Sequence, residues 1–148
     1  MKEKSRNYTA KRRKRSNSRS YAQSSLDLWW RTAVKLKAHY TCSASWHKLP
    51  PGAPIECAGQ IEAHHVVRRA KGVLRHDLRN GIALCNRHHQ WADSGAGSAW
   101  VAEHVDMDYL TINDVLLPEY LRSKGLSLAE FRRQRAEELK AIIKQYKE

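Results

Sequence analysis

The chain has 148 residues, 41% of them hydrophobic, and a formal net charge of +12, so we expect one compact domain with charged tails. No apolar run approaches the roughly 20 residues of a membrane-spanning helix, and the charged N-terminus has no secretory signal, so no membrane partner is expected. The positive charge exceeds what solubility requires and favours a polyanionic partner, above all nucleic acid.

A basic arm opens the chain. Residues 1–20 carry nine Lys or Arg and one acid, and thus +8 of the total charge. Such a segment cannot bury apolar surface, so it is predicted to be disordered on its own. Its densest run is expected to neutralise nucleic-acid phosphates and consists of Lys11, Arg12, Arg13, Lys14 and Arg15. In a eukaryotic host the same run would serve as a nuclear-import signal.

The first predicted helix runs from about Leu26 to about Tyr40, with a serine at position 24 or 25 as its cap. Its apolar positions recur at helical spacing and include Trp29 and Trp30. We expect both tryptophans in the core rather than as base-stacking platforms. A proline-rich loop follows at residues 49–54,.

Four of the eight histidines form two adjacent pairs, His64-His65 and His88-His89, and Asn80 lies between the pairs. Buried histidines need hydrogen-bond partners, and two such pairs would need many. A metal site with a general base explains this pattern more economically than packing does.

Two short strands and a helix are predicted around these histidines. β-favouring residues indicate strands at 61–67 and 81–84, and a helix should begin near residue 85 or 86,. The loop between the strands is basic and is predicted to contact the DNA backbone, with a solvated loop as the alternative. Its cations are Arg68, Arg69, Lys71, Arg75 and Arg79.

This stretch resembles the HNH endonucleases, whose ββα-metal fold packs a β-hairpin on a helix around one catalytic metal. The family pattern is a metal-binding Asp or His followed at once by the catalytic His, then Asn, then Leu-Cys-x-x-Cys/His-His. The positions of this chain that match it are His64, His65, Asn80, Leu84, Cys85, His88 and His89.

The resemblance implies a DNA endonuclease or nickase in which His65 is the general base. It implies that His64 and His89 bind one divalent cation, and that Asn80 orients the loop carrying the base without reacting. Because His64 replaces the common Asp of the family, the site should accept Mn²⁺, Ni²⁺ or Zn²⁺ as well as Mg²⁺. Asp93 would contact this ion, bond to His89 or be a surface acid.

The three cysteines predict a second metal site. An odd number of cysteines without a secretory signal argues against a disulfide framework. Cys85 and His88 have the spacing of half a structural zinc site, which Cys42 and Cys57 would complete. His47 is an alternative ligand, since it follows Cys42 at feasible reach. Two further alternatives are that His88 joins the catalytic ion and that the thiols are simply buried.

After the helix that begins near residue 85 or 86, the sequence pattern indicates secondary structure less clearly. Gly95 and Gly97 are predicted to end that helix, and residues 100–105 indicate a short helical segment,. A further turn would start near residue 113 and be interrupted by Pro118. A capping box of the form Ser127-x-x-Glu130 then predicts an amphipathic helix to about residue 146,.

The expected fold class is α+β: a small ββα-metal core with flanking helices and a disordered basic N-terminal arm. The expected domains are the arm at 1–22, an HNH nuclease domain with a zinc knuckle at 23–126, and a C-terminal amphipathic helix at 127–148. The alternative function is a non-catalytic, zinc-stabilised DNA- or RNA-binding module. His65 discriminates the two, because a pure binder needs no unligated imidazole beside a metal ligand.

The expected partner is nucleic acid, with DNA favoured over RNA. The chain has no evident separate specificity domain, so a protein partner could supply specificity. The expected location is the cytoplasm of a bacterial or phage-infected cell, or the nucleus in a eukaryotic host.

Overall fold

A computed structural model describes residues 23–68 and 71–148. Its elements, in chain order, are α1 (23–37), β1 (Ile61–His65), β2 (Gly81–Cys85), α2 (Asn86–Ala92), α3 (Gly95–Glu103), α4 (Met107–Asn113), α5 (Leu117–Lys124) and α6 (Leu128–Lys147). The protein is therefore a small α+β chain, as predicted. The predicted basic arm and Arg69 lie outside the described residues. Within those residues, no helix is long and apolar enough to cross a lipid bilayer.

The two strands form an antiparallel hairpin in which His64 lies opposite Ile82 and His65 lies opposite Gly81. The first strand ends at His65, two residues earlier than predicted. The next residues pair with the far end of the connection instead, since the amide of Val67 donates to the Asn80 side chain at 2.7 Å. This hydrogen bond joins the two ends of the segment between β1 and β2.

The strand β2 forms the centre of the core, because apolar clusters pack on both of its faces. Ala83 packs with buried residues of α1 and α6, including Trp30 and Leu139. Ile82 and Leu84 belong to a second cluster, which is built with α2 and α3. Alternate residues of a strand face opposite sides, so a strand buried on both faces has a continuous apolar sequence. The C-terminal helix thus shares a core with the hairpin.

The helix α1 differs from its predicted bounds at both ends. It already includes residue 23, so no serine at position 24 or 25 begins it. It ends at residue 37, because His39 and Tyr40 have φ angles of 53° and 54°. This left-handed conformation cannot continue a right-handed helix.

The two glycines after α2 lie in the next helix rather than in a terminating loop. The helix α2 ends at Ala92, and Gly95 and Gly97 lie in the first turn of α3, where the Ser94 hydroxyl accepts from the Gly97 amide at 3.2 Å. A side chain at Gly97 would collide with the Trp91 carbonyl oxygen. The glycine therefore permits close packing of α2 on α3, and α3 begins earlier than the predicted segment at 100–105.

The last two helices are separated by a glycine. Pro118 lies in the first turn of α5, where a proline is tolerated, so it begins this helix instead of interrupting a turn,. Gly125 ends α5 with a φ of 63°. Ser127 then caps α6 as predicted, because its hydroxyl accepts from the Glu130 amide at 3.1 Å.

Candidate metal centres

The hairpin and α2 bring His64, His89 and Asp93 together. One ligand atom from each lies within 4.8 Å of the others. The rings of His64 and His89 meet edge to face, with their centroids 4.8 Å apart. Asp93 follows His89 by four residues, which places both on one side of the helix. Asp93 is thus within reach of a shared ion, and it forms an ion pair with Arg68.

A buried nitrogen of His64 makes this set a plausible metal site. The residue is 5% exposed, and its Nδ1 has no hydrogen-bond partner among the described residues. Burial, together with the nearby His89 and Arg68, lowers the pKa of His64 to about 4. The ring is therefore neutral near pH 7 and offers a lone pair. An unpaired buried nitrogen is costly, and a bound cation would satisfy it.

His89 is oriented by a carboxylate that the sequence-based prediction missed. Its Nδ1 bonds to Glu62, which leaves Nε2 available for an ion,. The other Glu62 oxygen accepts a hydrogen bond from the side-chain nitrogen of Asn86. The side-chain oxygen of Asn86 in turn accepts from the backbone N–H of Gln60 at 2.7 Å. The available signal was position: Glu62 precedes His64 by two residues and so shares its face of β1.

His65 does not belong to this ligand set, and its ring is held from two sides. Its ring stacks on that of Trp30, with centroids 3.8 Å apart and an angle of 7° between the planes. Its Nε2 lies 2.9 Å from the carbonyl oxygen of Arg75, so this nitrogen carries the proton and donates it,. The indole of Trp30 in turn donates to the Asp77 carbonyl at 2.8 Å. The imidazole therefore presents Nδ1 as an acceptor.

The helix α1 also anchors the loop that carries the Arg75 carbonyl. Asp27 accepts two hydrogen bonds of 3.1 Å from the Arg75 guanidinium and one of 2.6 Å from His76. Burial raises the pKa of Asp27, but the hydrogen bonds and charges of Arg75 and His76 outweigh this effect and lower it overall. The orientation of His65 thus depends on a partly exposed ion pair between α1 and this loop.

Asn80 closes the loop between the strands. It is fully buried, and its side-chain oxygen accepts from the amide of Val67 at 2.7 Å. Its side-chain nitrogen donates to the carbonyl oxygens of Val67 and Leu74, each at 3.0 Å. All of these partners are backbone groups, so the side chain fixes the loop and does not face the ligand set.

The predicted DNA-contacting cations have different environments. Lys71 and Arg68 are exposed, although Arg68 pairs with an acid as described above. Arg79 is exposed, whereas Arg75 is bound to Asp27 and supports the loop. The other predicted contacts lie outside the described residues: Arg69, Lys11, Arg12, Arg13, Lys14 and Arg15.

A second cluster gathers three free cysteines around His88. The Nδ1 atom of His88 lies 3.6, 3.7 and 3.1 Å from the sulfurs of Cys42, Cys57 and Cys85. A tetrahedral ion such as zinc, with sulfur at roughly 2.3 Å and nitrogen at roughly 2.0 Å, would separate nitrogen from sulfur by about 3.6 Å. The four side chains could therefore hold a metal ion, as predicted.

The proline-rich loop fixes the tautomer of His88. Its Nε2 lies 2.8 Å from the Pro54 carbonyl oxygen and donates to it, so the Nδ1 lone pair faces the sulfurs,. The alternative ligand His47 lies outside the cluster and packs its ring against that of His104, with centroids 4.4 Å apart. Because His88 belongs to the cysteine cluster, it does not join the ligand set of His64.

The thiols differ in acidity. Partial desolvation, together with the charges and hydrogen bonds of the neighbouring Cys42 and Cys85, raises the pKa of Cys57 to about 12. Burial also disfavours the thiolate of Cys85, but hydrogen bonds from the backbone of His88 and Ala58 outweigh it and lower the pKa to about 6. Several adjacent thiolates repel one another unless a cation lies between them, and this donor set therefore suits a metal ion.

The chain was compared with known proteins: no family model, no curated protein and no solved structure matches it. The resemblance to HNH endonucleases therefore rests on the residues between His64 and His89 that carry it.

Proposed function

We propose that this chain is a metal-dependent HNH-type endonuclease or nickase with a ββα-metal core, which hydrolyses DNA phosphodiester bonds. One observation carries the proposal. Ligand atoms of His64, His89 and Asp93 lie within 4.8 Å of one another. His65, which follows His64 in the strand, lies outside this set, and its Nδ1 has no hydrogen-bond partner among the described residues. A module that only binds nucleic acid has no need of such an imidazole.

The catalytic ion would be held by His64, His89 and Asp93. A divalent cation bound there supplies electrostatic stabilisation for the charge that develops on the scissile phosphate and on the leaving oxygen. Two imidazoles and one carboxylate suit Mn²⁺, Ni²⁺ or Zn²⁺ and permit Mg²⁺. Glu62 keeps the His89 ring in the orientation that binding requires,.

The general base would be Nδ1 of His65. The hydrogen bond from Nε2 to the Arg75 carbonyl selects the tautomer whose Nδ1 can accept a proton from the attacking water,. Stacking on Trp30 limits rotation of the ring. Asn80 and Asp27 keep the loop with the Arg75 carbonyl in place, so these two residues position the base without touching substrate.

The cysteine cluster would bind a structural zinc ion through Cys42, Cys57, Cys85 and His88. Three thiolates and one imidazole complete a tetrahedron and leave no position for substrate, which is typical of structural zinc. The site joins the segment after α1 and the loop before β1 to the start of α2. It therefore stabilises the helix that carries His89.

DNA is the proposed substrate because of the excess of positive charge. Arg68 would exchange Asp93 for a substrate phosphate once Asp93 serves as a ligand,. Lys71 is also exposed and would contact the DNA backbone,. The basic arm at 1–22 would add affinity without sequence preference. A protein partner would then supply any specificity for sequence.

The proposal is tested with supercoiled plasmid, a series of divalent ions, and two variants. We expect His65→Ala to bind DNA normally and to cut roughly 10²-fold more slowly, the usual effect of losing a general base. The control is His39→Asn, because His39 is exposed, lies far from the ligand set in the sequence, and has a φ that asparagine tolerates,. Cleavage by His65→Ala at the wild-type rate would refute this role. A wild-type protein that binds DNA but cuts with none of the ions would favour the binding module.

A further inference from the structure

An open groove of about 350 Å³ lies outside both metal clusters. It is bounded by the end of α1, the short helical turn Ser43–Trp46, the start of β2 and the turn after α3. Buried apolar residues, Ala38 and Ile82 among them, form its floor. None of the proposed metal ligands lines it. We refer to it as the tryptophan groove, after Trp46.

One wall of the tryptophan groove is aromatic and exposed. Trp46 is 55% exposed, and His47 and His104 also line the groove. His104 is fixed in place, since it stacks on Trp100 with centroids 4.1 Å apart and its Nδ1 donates to the Trp100 carbonyl at 2.8 Å. Among the described residues no other ring contacts Trp46, so the exposed face of its indole is open to a ligand.

The rim of the groove carries unpaired positive charge. Lys37 and Arg79 line it, and neither forms an ion pair with a carboxylate in the described part of the chain. The guanidinium of Arg79 lies over the Tyr109 ring at 3.9 Å, which limits its motion. The acid that lines the groove, Asp106, is engaged in capping α4, where it accepts from the Tyr109 amide at 3.0 Å.

We propose that the tryptophan groove binds an unpaired nucleotide of single-stranded DNA, with its base stacked on Trp46 and its phosphate near Lys37 and Arg79. Every base has a flat π-face, so stacking on an exposed indole tolerates any sequence, and the cations neutralise the backbone. The volume is at the small end for ligand sites, which suits one nucleotide,. An apolar protein segment would leave two unpaired cations buried beneath it.

This inference goes beyond the proposed nuclease activity, because it concerns binding alone. If it holds, the protein prefers DNA with a single-stranded segment, such as an overhang or a flap, over blunt duplex. It also applies if the chain is a binding module without catalysis.

The test compares affinities for a short oligothymidylate and for a blunt duplex, with the full chain and without added divalent ions. Trp46→Ala is expected to weaken oligothymidylate binding roughly tenfold, the scale of one lost base–aromatic stack, and to leave duplex binding unchanged. Trp46→Phe should retain most of the affinity. The matched control is Tyr146→Ala, which removes an exposed aromatic side chain at the end of α6.

The charges provide a second measurement that does not depend on Trp46. Lys37→Gln and Arg79→Gln should each reduce the slope of log affinity against log salt by roughly 0.7 for the oligothymidylate. Lys144→Gln, an exposed change on α6, should leave that slope unchanged. These variants alter only exposed side chains, so the test survives if Trp46→Ala fails to fold.

Three outcomes would overturn the proposal. In the first, the wild-type chain does not bind oligothymidylate. In the second, the Trp46 variants lose affinity for both DNA forms equally. In the third, Trp46→Ala abolishes self-association in sedimentation and leaves oligothymidylate affinity intact, which would assign the groove to a second copy of the chain. No readout involves cleavage, so a failed nuclease assay does not bear on this result.

Discussion

The two clusters use neighbouring histidines of one helix for different purposes. His88 and His89 differ by about 100° around the axis of α2, so one faces the cysteines and the other faces the hairpin. The cysteine cluster has four donors, three of which are buried. The other has three donors, and its Asp93 lies on the surface. The first is thus nearly enclosed, whereas the second has one side open to solvent.

The groups that orient the two histidines also differ. The Nε2 of His88 donates to the neutral carbonyl of Pro54, whereas the Nδ1 of His89 bonds to the carboxylate of Glu62. A cluster of cysteine thiolates already carries several negative charges, so a neutral acceptor is sufficient there. Two imidazoles and one carboxylate carry less charge, and the carboxylate of Glu62 orients His89 for metal binding,. The orienting group is thus neutral at the cysteine cluster and negatively charged at the cluster of His64, His89 and Asp93.

The largest effect on stability is expected from Cys85→Ser, which removes one sulfur ligand of the cysteine cluster. Metal analysis of the purified wild-type chain should find about one tightly held zinc ion, which the variant should lose. Structural zinc can contribute on the order of 10 kcal/mol of apparent folding free energy, so the melting temperature should fall sharply. The control is Asp93→Asn, which alters the exposed ligand of the open set and should keep this zinc ion. A stable, folded wild-type chain without zinc would contradict the prediction.

An intermediate effect is expected from Glu62→Gln, which weakens the group that orients His89. Loss of such an outer partner typically reduces metal affinity by about 10- to 100-fold. The concentration of divalent ion that gives half-maximal cleavage should therefore rise, while the rate at saturating ion changes less. The matched control is Glu56→Gln, because Glu56 is an exposed acid outside both ligand sets. Equal ion requirements in the wild type and Glu62→Gln would exclude this role for Glu62.

The sequence predicted the parts of these clusters that depend on residue type and short spacing. Cys42, Cys57, Cys85 and His88 could be grouped because few other residues bind zinc, although 46 positions separate Cys42 from His88. The hairpin and α2 were also predictable, since their apolar patterns are local. Asp93 could not be assigned to an ion in advance, because its position depends on where α2 ends.

Contacts that depend on tertiary packing were not predictable. Asp27 and Arg75 are 48 residues apart, and nothing in the local pattern of α1 indicates that this acid supports the loop beside His65. The early end of α1 depends on left-handed conformations at two residues that are not glycine. In both cases the surrounding fold overrides local propensity.

The smallest effect should come from the anchor on α1, which supports His65 and neither cluster directly. Asp27→Asn removes a charge that is hydrogen-bonded to Arg75 and His76, and it should cost about 1 kcal/mol of unfolding free energy at pH 7,. Denaturant unfolding measures this change. Ser25→Ala, a variant of a nearby residue in the same helix, is the control. An unchanged unfolding free energy in Asp27→Asn would show that the anchor adds no stability.

The same anchor predicts how stability depends on pH. Burial of His76 lowers its pKa from 6.5, and this effect outweighs the opposing bond and charge of Asp27, while the charges of Arg75 and His65 act in the same direction as burial. Below pH 6.5 the unfolded chain therefore binds more protons than the folded chain, and the unfolding free energy falls as the pH falls. The lowered pKa of Asp27 continues this loss below pH 3.8.

Comparison of the wild type with His76→Gln measures this contribution together with the coupling of His76 to His65. His64 and any bound zinc ion affect both proteins alike. Between pH 6.5 and pH 5 the wild type should lose more unfolding free energy than the variant. A smaller loss of unfolding free energy in the wild type than in the variant would also be informative. If pairing with Asp27 outweighed burial, the folded pKa of His76 would be raised, and wild-type stability would increase as the pH falls. The sign of the difference therefore decides whether burial or the ion pair dominates at this anchor.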